Sequence, residues 1–381
     1  METILSWWQS ESDLFKVLFI TGCATLLIQV LFHLLIYIRL SLWRHQPEPT
    51  QVDPISIVIC AKNEEKRLRD LIPKLMEQDH PQFEIVVVDD SSWDDTITTL
   101  RAYQVRYSNL HVIHLDEDIQ RMRGKKFALT VGIKGAKYDN VLLTDADCWP
   151  TSDSWARRMC APFNDPSTSV VLGFSPYRKL DGFLNRVIRF DAAQIGVQYL
   201  SFALRGIPYM GVGRNLAYRK SLFFENSGFK SHLSIASGDD DLFISEVASR
   251  KNTTIVAHPE AQMISEPKES WSSWFKQKRR HFTTAPYYKG YVKALLGLWP
   301  LSFVLFWTSV LLLAVLHNTL LIAGSLLLVR YIIHLATFRS SFKKTGQTDL
   351  AIWIPILEGT LWIISPTLWL WNLLSKPRTW K

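Results

Sequence analysis

Apolar and polar positions follow two different periods along the middle of the chain. Runs of consecutive apolar and β-branched residues predict strands at 55–60, 83–88, 111–115 and 140–144. Between these runs apolar residues recur at helical spacing, which predicts helices at 64–78, 94–107 and 125–137. Strands that are apolar throughout and alternate with helices are typical of parallel sheets covered on both faces. The pattern therefore predicts an α/β domain with a mostly parallel sheet.

Longer apolar runs lie on both sides of this domain. Residues 14–38 carry one charge, Lys16, and are long enough to span a bilayer core of ~30 Å. Their length and the lack of a small-residue cleavage site distinguish them from a signal peptide. Three further runs follow the domain, at 295–316, 319–338 and 350–374. Because the last run contains Pro355, Glu358 and Pro366, we expect it to be broken, re-entrant or interfacial.

Charged residues predict how these segments are oriented. Acidic residues precede the first apolar run, and Arg39 and Arg44 follow it, so the positive-inside rule places the middle of the chain in the cytoplasm. The net charge is +8, and residues 276–293 contain six Lys or Arg and no acid. Such a basic segment suits an anionic membrane surface or a phosphate-bearing ligand. Nucleic acid is not expected as a partner, because no basic-aromatic module is present.

The patterns together divide the chain into seven segments. These are an extracytoplasmic N-terminus (1–13), a transmembrane helix (14–38), a linker (39–53), a cytoplasmic catalytic domain (54–268), an amphipathic interfacial segment (269–293), a membrane region of two to three helices (294–374) and a basic tail (375–381). The four cysteines show no metal-binding spacing, which favours reduced cytosolic thiols. We expect an integral membrane protein of a bacterial inner membrane, with its catalytic domain on the cytoplasmic side.

Polar residues follow three of the four predicted strands. Glu64 comes shortly after the first strand, Asp89 and Asp90 end the second, and Asp145 and Asp147 end the fourth. In parallel sheets, ligands bind outside the carboxyl ends of the strands. A helix cap explains one acidic turn, but not the convergence of three. Since Asp-x-Asp turns supply the oxygen ligands that Mg²⁺ or Mn²⁺ prefers, the sequence predicts a metal site that holds a diphosphate.

Three further stretches carry candidate chemistry. In RGKKFAL (123–129) Lys125 begins a helix, a position that favours an anion, although a solvated basic turn is the alternative. In ASGDDDLF (236–243) adjacent acids raise each other's pKa, which suits a general base, although an acidic helix start is the alternative. WSSWFKQKRRHF (271–282) is typical of an interfacial helix with aromatic anchors and a basic face.

Taken in order, the motifs resemble those of a known family. ISIVICAKNEE, VVVDDSSWDDT, GKKFAL, DAD, GDDD and QKRRH are similar to the motifs of the family 2 glycosyltransferases. They are most similar to the membrane-embedded branch with hyaluronan, cellulose and chitin synthases and ceramide glucosyltransferases. The resemblance covers about residues 54–285. It implies a GT-A (Rossmann-like) fold, a nucleotide-diphosphate sugar donor, with UDP as the default, and inversion at the anomeric carbon.

The resemblance also implies roles for individual residues. Asp240 matches the family's general base, with Asp239 beside it, and Asp147 with Asp145 would bind the metal. The donor-binding residues would be Glu64, Asp89 or Asp90, Lys125, Asp145, Asn215, Gln277 and Arg280. Gln277 and Arg280 match a Gln-x-x-Arg-Trp motif in which His281 replaces the tryptophan, and the neighbouring Arg279 leaves the arginine assignment open by one position.

We expect an inverting, metal-dependent transferase that adds one sugar to a lipid or lipid-linked saccharide at the cytoplasmic face. His281 puts processive polymerisation in doubt, and three or four membrane helices are few for a polymer channel. A processive polysaccharide synthase remains the first alternative. A non-catalytic nucleotide-sugar-binding subunit of a membrane assembly is the second. A metal-dependent phosphotransferase is the third, and it lacks the expected P-loop.

Overall fold

Strands and helices alternate along the chain in the order that the apolar pattern predicts. The structure is a computed structural model that describes residues 6, 8–45, 47, 51–116, 124–235, 237–316 and 319–375. Its strands are β1 (Ile55–Ala61), β2 (Phe83–Asp89), β3 (Leu110–His114), β4 (Asn140–Asp145), β5 (Cys148–Pro150), β6 (Val170–Gly173), β7 (Leu216–Arg219), β8 (Thr253–Val256) and β9 (Met263–Ser265). Its helices are α1 (Asp13–Leu42), α2 (Glu65–Met76), α3 (Thr96–Arg106), α4 (Lys125–Gly135), α5 (Trp155–Cys160), α6 (Phe183–Leu204), α7 (Lys220–Glu225), α8 (Asp241–Val247), α9 (Trp271–His281), α10 (Gly290–Leu316), α11 (Leu320–Lys344) and α12 (Thr348–Leu374).

Seven strands form the central sheet, in the order β3-β2-β1-β4-β7-β6-β8. The pairs β3–β2, β2–β1, β1–β4 and β6–β8 are parallel, whereas β7 runs antiparallel to both of its neighbours. A separate two-stranded sheet pairs β5 with β9. The mostly parallel α/β sheet and the four predicted strands are therefore confirmed, with ends that differ from the predicted ones by about one residue.

The helices of the first half pack closely against this sheet. A Cβ at Gly132 of α4 would lie 2.7 Å from Val58 and 2.9 Å from Val88, so only glycine allows this approach. Pro73 lies inside α2 and cannot donate a hydrogen bond to the carbonyl of Arg69 one turn earlier. The Tyr103 hydroxyl of α3 donates to that carbonyl at 3.1 Å instead. The neighbouring helix thus satisfies the carbonyl that the proline leaves unpaired.

Within the described residues, four helices are long and apolar enough to cross a membrane: α1, α10, α11 and α12. The last apolar run forms one continuous helix through Pro366 rather than a broken one. The helix α12 begins as a 3₁₀ segment (Thr348–Trp353), and Pro355 lies in the first turn of the α-helical part that follows (Ile354–Leu374), where a missing N–H costs little. How many of these helices cross the membrane, and in which direction, stays a prediction. The basic tail, from 376 to 381, lies outside the described residues.

One polar cluster joins all four of these helices. Arg330 of α11 donates to both carboxylate oxygens of Glu358 in α12, at 2.7 and 3.0 Å. Its Nε donates to Gln29 Oε1 of α1 at 2.7 Å, and Gln29 Nε2 donates to the Ser302 carbonyl of α10 at 3.1 Å. The Arg330 and Glu358 side chains are fully buried, so the centre of the bundle is filled by paired polar groups.

The helix α1 contains one turn of π-helix, at His33–Tyr37. The turn faces the bundle, since His33, Ile36 and Tyr37 are all buried. His33 Nδ1 lies 2.7 Å from Thr337 Oγ1 of α11, and the Tyr37 ring meets Trp299 of α10 edge to face at 5.0 Å. The wider turn places both aromatic side chains on the same inner side of α1.

The helix α6 connects the α/β domain to the bundle. Arg189 of α6 donates to both carboxylate oxygens of Asp349, each at 2.8 Å, where α12 begins. Asp191, on the next part of α6, accepts two hydrogen bonds from Lys278 of α9, at 2.9 and 2.8 Å. Bidentate pairs of this kind fix orientation as well as distance. Two ion pairs on one helix thus hold the α/β domain, α9 and the bundle together.

Candidate active site

The carboxyl ends of the parallel strands bring three acidic segments to one edge of the sheet. In the strand register, Ala61 of β1 lies beside Asp89 of β2, and Cys60 lies beside Asp145 of β4. The GDDD segment reaches the same edge, because Asp239, Lys125, Asp145 and Gly213 line one small cavity. The convergence that the sequence predicts is therefore present, and it includes residues more than ninety positions apart.

Lys125 connects two of these acidic segments. Its Nζ lies 2.8 Å from Asp145 Oδ1 and 3.0 Å from Asp239 Oδ2. Burial lowers the pKa of this ammonium, but Asp145, Asp239 and Asp240 raise it more, so it stays charged. An ammonium has three donors, and the two aspartates occupy two of them. Lys125 thus holds the Asp-x-Asp turn and the GDDD segment at a fixed separation, and its contact with a diphosphate stays a prediction.

Asp240, the expected general base, is held by two backbone amides. Its Oδ2 accepts a hydrogen bond from the Gly213 amide at 2.8 Å, and its Oδ1 accepts one from the Asp241 amide at 2.8 Å. Burial, followed by the charges of Asp239 and Asp241, raises the pKa of this carboxyl to about 7, against the opposing effect of Lys125. The neighbouring Asp239 has a lowered pKa, because its ion pair with Lys125 outweighs its burial. One acid of the pair is therefore ionised while the other is poised near neutral pH.

Two residues that the sequence analysis did not assign hold the GDDD segment in place. Lys126 is buried, and its Nζ donates to the backbone carbonyls of His232 and Ile235, at 2.6 and 2.9 Å. The buried Asp241 accepts a hydrogen bond from the Tyr288 hydroxyl at 2.7 Å, just ahead of α10. Both contacts join segments distant in sequence, so no local signal could have revealed them. The GKK motif therefore uses its first lysine in the site and its second to support the loop.

The Asp-x-Asp turn can accept a divalent cation. Ligand atoms of Asp145, Asp147 and Cys148 lie within 4.8 Å of one another, and neither aspartate is fully buried. The Cys148 thiol is buried and lies 3.0 Å from Ser265 Oγ. Burial, with Asp145 and Asp147 nearby, raises its pKa well above the usual range, so the thiol stays protonated. The two carboxylates, and not the thiol, therefore fit a hard ion such as Mg²⁺ or Mn²⁺.

The residues expected at the nucleoside lie around the ends of β1 and β2. Asp89 is fully buried, and its Oδ2 lies 2.7 Å from His114 Nδ1. Asp90 lies 4.0 Å from the Lys62 ammonium, and Glu64 pairs with Arg67 one turn further along α2. Asp89 is thus oriented by its histidine, whereas Asp90 and Glu64 keep some exposed surface. Their contacts with a donor stay predictions.

Asn215 is placed under the site rather than in it. Its side chain accepts a hydrogen bond from Trp155 Nε1 and donates to the carbonyls of Phe174 and Ala261, at 2.9, 2.7 and 2.9 Å. The residue is fully buried, so these three contacts use its amide group. Its role as a donor contact stays a prediction, while its observed contacts fix the start of β7.

The helix α9 separates its two adjacent arginines. Arg279 donates to Asn372 Oδ1 of α12 at 2.8 Å and lies over the Trp371 ring at 4.1 Å. Gln277 donates to the Tyr177 hydroxyl at 3.2 Å, on the side of the α/β domain. Because Arg280 follows Gln277 by three positions, it shares the face of Gln277 rather than that of Arg279. This geometry favours Arg280 over Arg279 as the arginine of the motif.

The sequence matches two family models. The model of glycosyl transferase family 2 matches residues 56–225. The model of glycosyl transferase family group 2 matches residues 141–372, which is more than half of the chain. This chain belongs to the family 2 glycosyltransferases. The second match extends from the Asp-x-Asp strand through the GDDD segment to α12, so it covers both part of the α/β domain of this glycosyltransferase and its last three apolar helices.

Curated relatives of this glycosyltransferase include poly-beta-1,6-N-acetyl-D-glucosamine synthases. The one from Staphylococcus epidermidis is 27% identical over 155 residues, which are 39% of this chain and 35% of the relative. The one from Staphylococcus aureus (strain COL) is 26% identical over 145 residues, which are 38% of this chain and 34% of the relative. The match thus covers about a third of the length of these relatives.

A solved structure has the same fold as this glycosyltransferase. It is the mannosyltransferase PcManGT from Pyrobaculum calidifontis in complex with GDP-Man and Mn²⁺. It superposes with a TM-score of 0.56 and covers 91% of this chain and 99% of its own, at 19% identity. This likeness confirms the GT-A fold class that the sequence predicts.

Proposed function

We propose that this chain is a membrane-bound, inverting glycosyltransferase that moves one sugar from a nucleotide-diphosphate sugar to a lipid or lipid-linked saccharide at the cytoplasmic face of the membrane. The observation that carries the proposal is the arrangement around Lys125. It holds the Asp-x-Asp carboxylate Asp145 on one side and Asp239, the neighbour of Asp240, on the other. This arrangement supports a metal–diphosphate end beside a proton acceptor, as single-step transfer requires.

The reaction follows from these groups. The acceptor hydroxyl attacks the anomeric carbon from the face opposite the diphosphate, and Asp240 takes the hydroxyl proton. The new carbon–oxygen bond forms as the bond to the diphosphate breaks, and its electron pair leaves with the phosphate oxygen. Asp240 suits this task because its pKa of about 7 lets it accept a proton near neutral pH. Inversion follows, since no enzyme nucleophile intervenes.

The residues also suit the charge of the leaving group. Asp145 and Asp147 would hold a divalent cation, which would neutralise charge on the departing diphosphate when bound. Lys125 and Arg280 would add positive charge from the protein. UDP is our default nucleotide. GDP is the other nucleotide to test, because the structural neighbour binds GDP-Man.

A processive polysaccharide synthase is the second candidate, because the curated relatives carry that name. Two features support single transfer instead. His281 stands where the motif has an aromatic residue, and the centre of the four-helix bundle is filled by the buried Arg330–Glu358 pair. A polymer would therefore find no lumen between those two side chains. The length of the product distinguishes the two candidates.

The test is nucleotide release by the full chain purified in detergent. UDP- and GDP-sugars are each supplied with Mn²⁺, Mg²⁺ or EDTA and with membrane lipids, and the products are sized by mass spectrometry. We expect metal-dependent release from one donor and a lipid product that carries a single sugar. Asp240→Asn should abolish release, whereas Asp181→Asn, an exposed aspartate ahead of α6, should leave it unchanged.

Each other outcome rejects a specific part of the proposal. Long saccharide products would establish the processive synthase. Donor binding without turnover on any lipid would indicate the non-catalytic subunit. If folded protein binds none of the donors, the glycosyltransferase assignment of this site is wrong.

A further inference from the structure

Arg214 lies beside the candidate site, next to the cavity-lining Gly213, although no motif singles it out. It stands between Gly213, whose amide donates to Asp240 at 2.8 Å, and the buried Asn215. These three residues form a single 3₁₀ turn ahead of β7. Asn215 is directed into the core beneath the site, while Arg214 remains only partly buried beside Tyr177. The turn thus holds Arg214 next to the residue that orients the base.

The contacts of Arg214 orient its guanidinium without neutralising it. Its Nε donates to Ser175 Oγ at 2.8 Å, and its Nη2 donates to the Ser175 carbonyl at 3.2 Å. Its guanidinium carbon lies 4.9 Å from the centre of the Tyr177 ring. The same tyrosine accepts a hydrogen bond from Gln277 at 3.2 Å, which links Arg214 to the Gln-x-x-Arg motif. Serine and tyrosine thus fix one edge and one face of the guanidinium.

Two cations around the site, Lys125 and Lys278, are neutralised by acids, but Arg214 is not. Lys125 pairs with Asp145 and Asp239, and Lys278 pairs with Asp191. Across the part of the chain that the structure describes, no carboxylate lies within ion-pair distance of Arg214. Burial lowers the pKa of Arg214, while Tyr177, Cys148 and Asp145 raise it more, so the group stays charged. A partly buried, charged and unpaired guanidinium is costly unless a ligand supplies the anion.

The position of Arg214 indicates which anion this is. Gly213, the residue before Arg214, lines one small cavity with Lys125, Asp145 and Asp239. On the other side, the guanidinium of Arg214 faces the ring of Tyr177 at 4.9 Å, and Tyr177 accepts a hydrogen bond from Gln277 of α9. Arg214 therefore lies between the cavity that Lys125 lines and the helix that carries Arg280, and the proposed function assigns both of these cations to the diphosphate. A planar guanidinium with one occupied edge still offers a fork that matches phosphate oxygens.

We propose that Arg214 is a donor-binding residue that contacts the diphosphate of the nucleotide-sugar and holds it as it leaves with the nucleotide. This inference rests on the proposed function. It adds a third protein cation to Lys125 and Arg280. It also explains why an arginine stands between Gly213 and Asn215. Its guanidinium is held by a hydroxyl and a carbonyl group rather than by a carboxylate, which leaves its charge for a ligand. An acceptor phosphate would have the same chemistry, so the test separates the two sources.

The test compares nucleoside diphosphate with monophosphate binding in the absence of any acceptor. The full chain in detergent is titrated calorimetrically with UDP, UMP, GDP and GMP in Mn²⁺, as wild type and as Arg214→Gln and Arg214→Lys. We expect Arg214→Gln to weaken diphosphate binding about ten- to hundredfold, because it removes charged hydrogen bonds. Monophosphate binding should change less than about threefold. Arg214→Lys keeps the positive charge but loses the two parallel N–H donors of the guanidinium. Its diphosphate affinity should therefore lie between those of wild type and Arg214→Gln.

The control variant is Arg101→Gln, which removes an exposed arginine of α3 that belongs to none of the motifs. It should leave all four affinities unchanged.

Equal losses for diphosphates and monophosphates, or no loss for either, would overturn the inference. A normal diphosphate affinity with a raised KM for a lipid acceptor would assign Arg214 to the acceptor and overturn it as well. Wild-type protein that binds no nucleotide rejects the proposed function instead. If Arg214→Gln fails to fold, Arg214→Lys alone decides, and an unchanged diphosphate affinity refutes the inference.

Discussion

At the scale of single residues, the site depends on carboxyl groups that carry different charges in close proximity. Lys125 lowers the pKa of Asp239 and so keeps that carboxylate ionised. Burial, together with the negative charges of Asp239 and Asp241, raises the pKa of Asp240 to about 7. Two acids adjacent in sequence therefore have opposite pKa shifts, because Asp239 has an ion pair with Lys125 whereas the pKa of Asp240 is raised by burial and by the charges of Asp239 and Asp241. The positive charge of Lys125 also lowers the pKa of Asp240 directly, so it opposes the shift that Asp239 and burial cause.

The pH dependence of activity should report this arrangement. Asp240 accepts a proton only when ionised, so kcat/KM should rise with pH and level off above about 7. We expect Lys125→Met to move this rise to higher pH, because the lysine charge opposes the raised pKa. The measurement is the pH profile of nucleotide release in wild type and variant. A rise centred near pH 4 in wild type would contradict the role of Asp240.

The same pKa shift predicts an effect on stability. The folded state binds the Asp240 proton more tightly than an ordinary aspartate with a pKa of 3.8 does, so ionisation of Asp240 destabilises the fold as pH rises from about 4 to 7. Asp240→Asn removes this loss, and should melt at a higher temperature than wild type at pH 8 but at nearly the same temperature at pH 4. Asp181→Asn should show no such difference at either pH.

Sequence alone located most of this chemistry but not all of it. Asp145, Asp147 and Asp240 were predictable because each ends an apolar run or belongs to a recognisable motif. Lys126 and Arg214 were not, because their partners are backbone carbonyls and hydroxyls on distant segments. Asn215 shows the reverse case. The family resemblance implies a donor contact for this residue, while its three hydrogen bonds are all made inside the core.

At the scale of elements, the GDDD segment is connected to the segment that enters α10. Asp241, the first residue of α8, accepts a hydrogen bond from Tyr288 at 2.7 Å, and both side chains are 8% exposed. Leu242 donates its amide to the other oxygen of Asp241 at 2.8 Å. The GDDD segment and the segment that enters α10 therefore share one buried carboxylate.

Removing the hydrogen bond from Tyr288 to Asp241 should weaken the connection between the GDDD segment and α10 without removing the carboxylate of Asp240. Tyr288→Phe deletes one hydrogen bond to a charged group and leaves a buried carboxylate with one partner fewer, which costs about 1.5–3 kcal/mol. We expect a lower melting temperature and a lower kcat. Tyr287→Phe, one position earlier and 61% exposed, is the matched control and should change neither. Equal effects of the two variants would show that the contact has no special importance.

The elements themselves were predictable to different degrees. The strands β1 to β4 are continuous apolar runs, and their parallel order follows from the helices between them. The strands β6, β7 and β8 have four residues each, and their order in the sheet depends on pairing across loops. Short segments carry little periodic signal, and the antiparallel direction of β7 has no local sequence signal. The second half of the sheet was therefore outside what the pattern could predict.

At the scale of the whole molecule, the four apolar helices are specified by charge as much as by packing. Arg330 and Glu358 pair in the centre of the bundle with no exposed surface, and Gln29 extends the pair to α1. Such pairs add little net stability over apolar residues, but breaking one leaves a buried charge without a partner. The pair therefore favours one arrangement of the helices over others.

Removing one member of the Arg330–Glu358 pair should destabilise the fold more than removing both. Glu358→Gln leaves Arg330 buried and unpaired, and should cost about 3–5 kcal/mol. The double variant Arg330→Met/Glu358→Met removes both charges and should recover most of that loss. Thermal unfolding in detergent measures both. Lys179→Gln, whose partner Asp349 is also held by Arg189, should lie within about 0.5 kcal/mol of wild type. A double variant less stable than Glu358→Gln would contradict this explanation.

The π-helical turn of α1 has a consequence for tracing the ancestry of this chain. A π turn closes its hydrogen bonds over one residue more than an α turn does, so it is equivalent to a single-residue insertion in an otherwise regular helix. Deleting one residue between His33 and Tyr37 should restore a regular helix and rotate everything before it by about 100° against α10 and α11. A related chain that lacks the inserted residue should therefore align with this chain only through a one-residue gap at this turn. Before that gap, all the positions of α1 that face the bundle would be shifted by one residue between the two chains.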